Sequence, residues 1–427
     1  MSDRAWTVWG VAEISCWLGH FADAMPTGHD AEDCLDAHAE CGITHVAWAL
    51  GRSVVRYHSA LQDVTSAGRD TPLDGLEGQA RAIEAMFGER CQLRAALTHA
   101  AKHGMTIYGR LCMNRHYRPG TIARSNFADS HPEWCEVQKD AQPDPTRLCY
   151  AVPQYRSERV AILREAAEIG CHGLCLDFCR QPPIVRYHSA FVDPYREGTG
   201  KDPRQLSLAD GDAFLGWCQH RADAVTQFLR ELKDALDSLR AETGRSIPVQ
   251  VRIPNDGFEA NLIAGLDVVT WCGEGLIDEL ALSELRWLAE CSDWDDRPYI
   301  HMGREAGIPV YASSSCLPKQ PGGWGGRVNP AGVNPLVLAR RALRSLEEGA
   351  QGISLYQSDT GVRWPGMPQV LSALGDETTL TKVVGDARLT AQYPITPNNA
   401  EFGIDNHSRS PSELRFRADV GADECGV

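Results

Sequence analysis

The chain has 427 residues, a formal net charge of −15 at pH 7, 43% hydrophobic residues and 23% charged residues. These are ordinary proportions for a globular protein, and the length suits two or three domains or one large barrel. The acidic balance repels phosphate backbones and no apolar run reaches 18 residues, so we expect no nucleic-acid partner and no membrane-spanning helix.

Strand-like apolar stretches alternate with helical patterns from the N-terminus to about residue 376. The predicted strands are residues 6–15, 44–50, 105–114, 171–179, 247–254, 277–284, 308–315 and 352–359. The predicted helices are residues 29–42, 89–104, 156–170, 212–244, 261–271, 334–349 and 367–374. Strands alternating with helices imply a parallel sheet, and eight units predict a closed (β/α)₈ TIM barrel over residues 1–376. Residues 377–427 are predicted to form a C-terminal extension that is partly disordered.

A doubly wound sheet is the competing fold. It would carry a glycine-rich phosphate-binding turn after its first strand. Residues 16–20 read Cys-Trp-Leu-Gly-His and lack that pattern. The barrel is therefore favoured.

Long polar insertions follow four of the strands, at residues 51–88, 115–155, 180–211 and 316–333. In a barrel, all strand-to-helix loops lie on the C-terminal face, where active sites are built.

Two of these loops contain the same run, Val-Arg-Tyr-His-Ser-Ala, at residues 55–60 and 185–190. The repeat is either coincidental or a shared lining of a polar cleft, which makes His58 and His188 candidate substrate-binding residues.

The 15 cysteines are scattered, and no basic segment followed by an apolar one opens the chain. We therefore expect a cytoplasmic protein with free thiols. Cys171, Cys175 and Cys179 are spaced by four, which matches neither a zinc ribbon nor an iron–sulfur run. We expect these side chains to fill the barrel, with no metal bound there.

Carboxylates at the ends of barrel strands are the first candidates for catalysis. Asp177 alternates with Leu174, Leu176 and Phe178, which predicts that it points inward at the top of the barrel. It is a candidate catalytic residue, or alternatively a buried partner of Arg180 or Arg110. The second catalytic candidate is Glu284, at the end of the sixth strand. Three further acids at strand ends are expected to bind substrate: Glu13, Asp256 and Asp359.

Basic and aromatic groups gather at the same strand ends. Arg110 and Arg252 lie within predicted strands, where a guanidinium needs a polar partner or a wet cavity, and Asp177 could pair with either. Aromatic faces with arginines and carboxylates would suit a carbohydrate cleft. The substrate-binding candidates of this group are Arg110, Asn114, Arg180, Arg252 and Tyr356.

Other chemistries lack their motifs. We find no Gly-x-Ser-x-Gly elbow, no phosphate-binding Walker loop and no His-Glu-x-x-His. Two carboxyl groups can cleave a glycosidic bond without a metal or cofactor, so none is expected.

We predict that Asp177 is ionised beside an arginine and that Glu284, facing it across the cleft, is the proton donor. Separations of about 5–5.5 Å indicate a retaining enzyme and about 6.5–9.5 Å an inverting one; analogy with other barrels favours retention.

Several segments together resemble the glycosyl-hydrolase-like family 10 barrels. Residues 131–134 match the family's "HPEW" segment, and residues 172–178 are similar to its "DGIHFDDY" strand. The other similar segments are residues 57–59, 151–153, the helix from residue 156, Trp217 and Arg221 with residues 228–232, and Trp271 with residues 274–278. The resemblance covers residues 6–376 and implies a glycosidase-like barrel acting on an oligosaccharide or polysaccharide.

The sequence also departs from the family. Where the family often has two adjacent acids, Asp177 is followed by Phe178, and His172 stands where an aspartate is usual. The segment usually written "PQ.Y" reads Leu-Ser-Glu-Leu at residues 282–285. Two alternatives therefore stay open, a sugar-binding barrel without catalysis and another metal-free lyase or isomerase. The sequence gives no oligomeric state.

Overall fold

The computed structural model describes residues 6–14, 17, 29–61, 90–121, 123–179, 183–255, 257–283, 295–315, 334–364 and 366–393. Its strands are β1 (Thr7–Ala12), β2 (His45–Gly51), β3 (Thr106–Cys112), β4 (Cys135–Val137), β5 (Pro143–Leu148), β6 (Gly173–Asp177), β7 (Val249–Pro254), β8 (Glu279–Ser283), β9 (Val310–Ser315) and β10 (Gly352–Tyr356). Eight of them form a closed parallel barrel in the order β1-β10-β9-β8-β7-β6-β3-β2. The predicted (β/α)₈ barrel is therefore confirmed.

Helices surround the barrel. They are α1 (Asp30–Glu40), α2 (Gln92–Lys102), α3 (Asn126–Ser130), α4 (Pro153–Ile169), α5 (Ser189–Thr199), α6 (Asp212–Thr243), α7 (Phe258–Ile263), α8 (Val268–Gly273), α9 (Arg297–Ala306), α10 (Pro335–Glu347), α11 (Ser358–Gly361), α12 (Met367–Leu371), α13 (Glu377–Gly385) and α14 (Ala387–Gln392). Local chemistry sets several of their ends. The Asn334 side chain caps α10 by accepting from two backbone N–H groups, and α4 begins at Pro153 and ends before Gly170, whose φ is 128°.

Two apolar layers hold the barrel together. The outer layer lies between the strands and the helices. The inner layer fills the barrel itself and consists of Trp9, Val11, Ala47, Tyr108, Cys175, Tyr311 and Tyr356. Because successive residues of a strand point to opposite sides, six of the eight barrel strands contribute to both layers, and β7 and β8 contribute to the outer layer only.

Strand β6 shows this alternation directly. Leu174 and Leu176 belong to the outer layer, whereas Cys175 belongs to the inner one. Asp177 has the parity of Cys175 and is paired in register with Arg252 on β7 and Cys112 on β3. The prediction that Asp177 points into the top of the barrel is therefore confirmed.

The long insertions contain structure of their own. The loop after β3 holds the antiparallel pair β4–β5, and the loop after β6 holds α5. The first described part of the predicted C-terminal extension forms α13 and α14, and α13 buries Leu380 and Val383. Residues 394–427 lie outside the described ranges. Within those ranges, no helix has the length and hydrophobicity that crossing a lipid bilayer requires.

Candidate active site

Asp177 lies at the centre of a buried ionic cluster at the C-terminal end of the strands. Its side chain has no solvent-exposed surface. Arg110 Nη1 donates to Oδ2 at 2.6 Å, and Arg252 Nη1 donates to Oδ1 at 2.9 Å. The backbone N–H of Cys179 also donates to Oδ1, at 3.1 Å. Asp177 is therefore the buried partner of Arg110, one of the two roles that the sequence left open, and of Arg252 as well.

The two arginines are held from several sides. Arg252 also donates to the Ser283 hydroxyl, and its guanidinium carbon lies 4.3 Å from the centre of the Tyr356 ring. Such a cation over an aromatic face is stabilising when it is shielded from water. Burial opposes the charge of Arg252, but the carboxylate of Asp177 raises its pKa above the usual value. The guanidinium therefore stays charged inside the barrel.

Glu13 extends this cluster towards solvent. Its Oε2 lies 3.6 Å from Arg110 Nη2, and its side chain is 26% exposed while that of Arg110 is 3% exposed. Burial alone would lower the pKa of Arg110, but the charges of Asp177 and Glu13 raise it above its usual value. One guanidinium thus faces a buried carboxylate and a carboxylate that solvent can reach.

Asp359, on α11, lies behind Glu13. Its Oδ2 accepts the backbone N–H of Trp17 at 3.0 Å, and the side chain is fully buried. Burial and the negative charge of Glu13 raise the pKa of Asp359 to about 8, against the opposing effects of backbone N–H groups and Arg110. Asp359 therefore carries a proton at neutral pH next to a carboxylate that contacts an arginine.

A sharp turn places Asp359 there. Gln357 has a φ of 53° and a ψ of 46°, a left-handed conformation that non-glycine residues rarely adopt, and it joins β10 to α11. Its side chain is buried. Strained residues of this kind are concentrated at functional sites. Sequence patterns carry no signal for a left-handed glutamine, and Gln357 was missed for that reason.

Asn114 and Tyr356 are also part of this end of the barrel. Asn114 is buried, and its Nδ2 donates to the carbonyl of Phe178 at 3.4 Å. Tyr356 forms the aromatic face beneath Arg252. Ser283, which sequence reasoning missed, is the acceptor for Arg252. The structure therefore brings Glu13, Arg110, Asn114, Asp177, Arg252, Tyr356 and Asp359 to one end of the barrel.

The two copies of the repeated sequence anchor their loops to helices. In the first copy, the Tyr57 hydroxyl and the Ser59 hydroxyl both donate to Glu165 on α4, at 2.8 Å and 2.5 Å. In the second copy, Tyr187 stacks on Trp217 of α6, with ring centroids 5.5 Å apart. The two copies thus make different contacts, and a shared lining of a polar cleft stays a prediction.

The two histidines of the repeat differ in their hydrogen-bond contacts and burial. His188 caps α5 through Nδ1 and contacts the Glu133 carbonyl at 3.0 Å through Nε2. His58 is half-buried between two residues anchored on α4. A substrate-binding role for either histidine stays a prediction.

Three of the predicted site residues, Arg180, Asp256 and Glu284, lie outside the described residues. The predicted separation of Asp177 and Glu284, and the retaining outcome inferred from it, stay predictions. Among the described carboxylates of the cluster, Glu13 alone combines solvent access with an arginine contact. Such a carboxylate can stabilise a developing positive charge or activate water.

Comparison with known proteins gives the fold but no family. No protein-family model matches the chain, and no curated protein matches it in sequence. Among solved structures, a cold-adapted β-galactosidase from Rahnella sp. R3 is 12% identical, with a TM-score of 0.52 over 93% of this chain and 61% of that one. The catalytic domain of a β-amylase from Paenibacillus polymyxa is 8% identical, with a TM-score of 0.51 over 88% of this chain and 98% of that one.

The chain thus spans less than two thirds of the length of the β-galactosidase. At sequence identities of 12% and 8%, the structural similarity shows a shared fold only. The chain shares the barrel architecture of these two enzymes, as its own closed sheet already indicates.

Proposed function

We propose that the protein is a glycoside hydrolase that cleaves an oligosaccharide or polysaccharide at the C-terminal end of the barrel. The proposal rests on the Glu13 carboxylate, which is partly exposed to solvent and lies 3.6 Å from Arg110 of the buried Arg110–Asp177–Arg252 cluster. Glycosidic cleavage proceeds through a positively charged, oxocarbenium-like transition state, which a fixed carboxylate stabilises. The mechanism needs no cofactor.

Glu13 is the carboxylate that we propose contacts the sugar, in place of Asp177. Both oxygens of Asp177 are occupied by guanidinium groups and its side chain has no exposed surface, so a sugar cannot reach it without breaking the cluster. Asp177 instead positions Arg110, whose guanidinium lies 3.6 Å from the Glu13 carboxylate. Asp177 is therefore a positioning residue in this proposal.

The second carboxyl group is proposed to be Glu284, as the proton donor. It follows Ser283 in the chain, and the Ser283 hydroxyl accepts from Arg252. Asp359 is the alternative donor because its pKa of about 8 keeps it protonated at neutral pH. Its complete burial weighs against direct contact with a sugar.

A carbohydrate substrate has two further lines of support. The sequence resembles the glycosyl-hydrolase-like family 10 barrels, and the fold is similar to those of a β-galactosidase and a β-amylase. Aromatic and charged side chains at one end of the barrel suit the stacking and hydrogen bonding of sugar rings.

The test is a panel of oligosaccharides and polysaccharides scored for both binding and hydrolysis. The variants are Glu13→Gln and, as a matched control, Glu242→Gln, whose exposed carboxylate pairs with Arg164 on the outside of the barrel. We expect hydrolysis of at least one glycan, a fall in kcat/KM of about 10²–10⁴-fold in Glu13→Gln, and no change in the control.

Two other results of the same panel would change this assignment. Glycan binding without product would support a sugar-binding barrel, and cleavage that survives Glu13→Gln unchanged would remove Glu13 from the reaction. The melting temperature of each variant should stay close to that of the parent protein, because the Glu13 side chain is partly exposed. A large drop would make its loss of activity a folding effect, and Glu13→Asp would then be measured in its place.

A further inference from the structure

Three potential metal ligands meet on the outer surface of the barrel, between α1 and α2. Asp36 on α1 contacts two histidines through a single oxygen, Oδ1: His99 of α2 and His103, the residue that follows α2. The Nε2 atoms of His99 and His103 lie 2.6 Å and 2.7 Å from it. The three ligand atoms all lie within 4.8 Å of one another.

The helical spacing produces this convergence. His99 and His103 are four residues apart, so their rings project from the same face of α2 and lie with centroids 5.2 Å apart. Asp36 faces them from the neighbouring helix. A tetrahedral ion with bonds of about 2.0–2.1 Å needs ligand atoms roughly 3.4 Å apart, which small movements of these side chains can supply.

The donor set selects a class of ion. Two imidazoles and one carboxylate suit borderline divalent cations such as Zn²⁺, Co²⁺ or Ni²⁺ and do not suit Mg²⁺ or Ca²⁺, which prefer oxygen ligands. The side chains of Asp36 and His103 are 41% and 35% exposed, so water can complete the coordination. Both histidines would bind through Nε2.

We propose that Asp36, His99 and His103 form a binding site for a divalent transition-metal ion that links α1 to α2. The site is separate from the proposed active site, because the residues lie on helices outside the strands. The ion would stabilise this side of the barrel and would take no part in glycoside hydrolysis.

The surroundings of His99 indicate that the site binds a metal ion with moderate affinity. Metal-bound histidines usually donate their second N–H to a neighbouring acceptor. The Nδ1 atom of His99 is buried without a hydrogen-bond partner among the described residues. The lack of that support typically weakens metal binding by about 10–100-fold.

The test is Zn²⁺ and Co²⁺ binding to the full chain after treatment with a chelator. The variant is His103→Gln, and the matched control is His301→Gln, which changes an exposed histidine four residues from Glu305 on α9. Zn²⁺ in about 100-fold excess over its dissociation constant should raise the Tm of the parent and the control by about 3 °C. The same ion should leave His103→Gln unchanged.

Co²⁺ identifies the ligands independently of stability. We expect the parent and the control to bind one more Co²⁺ per chain than His103→Gln, and the absorption of that ion should lack the near-ultraviolet thiolate-to-cobalt charge-transfer band. Equal Co²⁺ binding by the parent and His103→Gln would overturn the proposal, as would a spectrum dominated by thiolate ligands. Neither readout depends on glycosidase activity.

Discussion

A carboxylate without solvent contact needs its charge balanced inside the protein, and Asp177 has two arginines for this purpose. The alternation of β6 predicted its inward direction, and the arginines in β3 and β7 were predicted as possible partners. Ser283 was not predicted, because a serine at a strand end has no distinctive pattern. Its role appears only when Arg252 is placed beside it.

Replacing Asp177 with asparagine should destabilise the fold. The change removes the charge between two buried guanidinium groups, and breaking a buried ion pair from one side costs about 3–5 kcal/mol. Urea unfolding would measure the difference in the free energy of unfolding. Asp193→Asn is the control, since Asp193 forms an exposed pair with Arg196 and its loss should cost less than about 1 kcal/mol. Equal effects of the two substitutions would contradict the central position of Asp177.

Asp359 should make stability depend on pH in a defined direction. Its pKa is about 8 in the folded protein and 3.8 ordinarily, so the folded state retains a proton that the unfolded chain releases. The resulting stabilisation is fully present below pH 3.8 and is lost as the pH rises towards 8. Between these limits the loss is at most about 1.4 kcal/mol per pH unit.

The Asp359→Asn variant lacks this titration. The free energy of unfolding of the parent minus that of the variant should therefore fall between pH 5 and pH 8 in urea titrations. Parallel curves for the two proteins over this range would show that Asp359 has an ordinary pKa in the folded state.

For the secondary-structure elements, the pattern of apolar and polar residues predicted all eight barrel strands to within a few residues of their observed ends. The pair β4–β5 was missed, as were the helices α3, α5, α9, α11, α13 and α14. β4 has only three residues, which is too short to show alternation, and α9 begins with Arg297-Pro298 after an acidic stretch that hides its start. The contacts of the Arg110–Asp177–Arg252 cluster could not be predicted from periodicity, because they join strands that are far apart in sequence.

Packing between β3 and β6 depends on Gly173. A Cβ atom at Gly173 would lie 2.5 Å from the ring of Tyr108, which fills the barrel interior and donates to Glu279 at 2.8 Å. We expect Gly173→Ala to lower the free energy of unfolding by about 1–3 kcal/mol through overpacking. Denaturant titration would measure the loss.

The control is Gly198→Ala in α5, where a Cβ atom meets nothing within 4 Å. Alanine should stabilise that helix by roughly 0.5–1 kcal/mol. Destabilisation by both substitutions alike would contradict the assigned role of Gly173.

Across the whole molecule, the eleven cysteines of the described ranges are free, and all except Cys91 are buried. Burial raises the thiol pKa of Cys171 and Cys175 to about 12. A thiol reagent at neutral pH should therefore modify Cys91 before any other cysteine of those ranges in the native protein, and all eleven in denaturant without a reductant. Peptide mass mapping would identify the modified residues. Rapid native modification of Cys175 would contradict the packed barrel interior.

The barrel gathers residues from the start, middle and end of the chain at one end of the sheet. Glu13 follows β1, Asp177 ends β6, and Asp359 follows β10, next to β1 in the closed sheet. The predicted barrel implied that these three acids would lie at the same end, because the C-terminal ends of all barrel strands share one face. The division of roles between an exposed carboxylate and a buried one depends on burial, which the sequence did not reveal.

Cleavage in water labelled with heavy oxygen would decide whether the protein is a glycoside hydrolase. A hydrolase adds one water oxygen to the product for every glycosidic bond that it breaks. Mass spectrometry of the sugars released from a glycan that the protein cleaves should therefore show one heavy oxygen per new reducing end, and Glu13→Gln should form this product at least about 100-fold more slowly. An unlabelled product carrying a new double bond would indicate a lyase and contradict the account, as would the absence of cleavage across the panel.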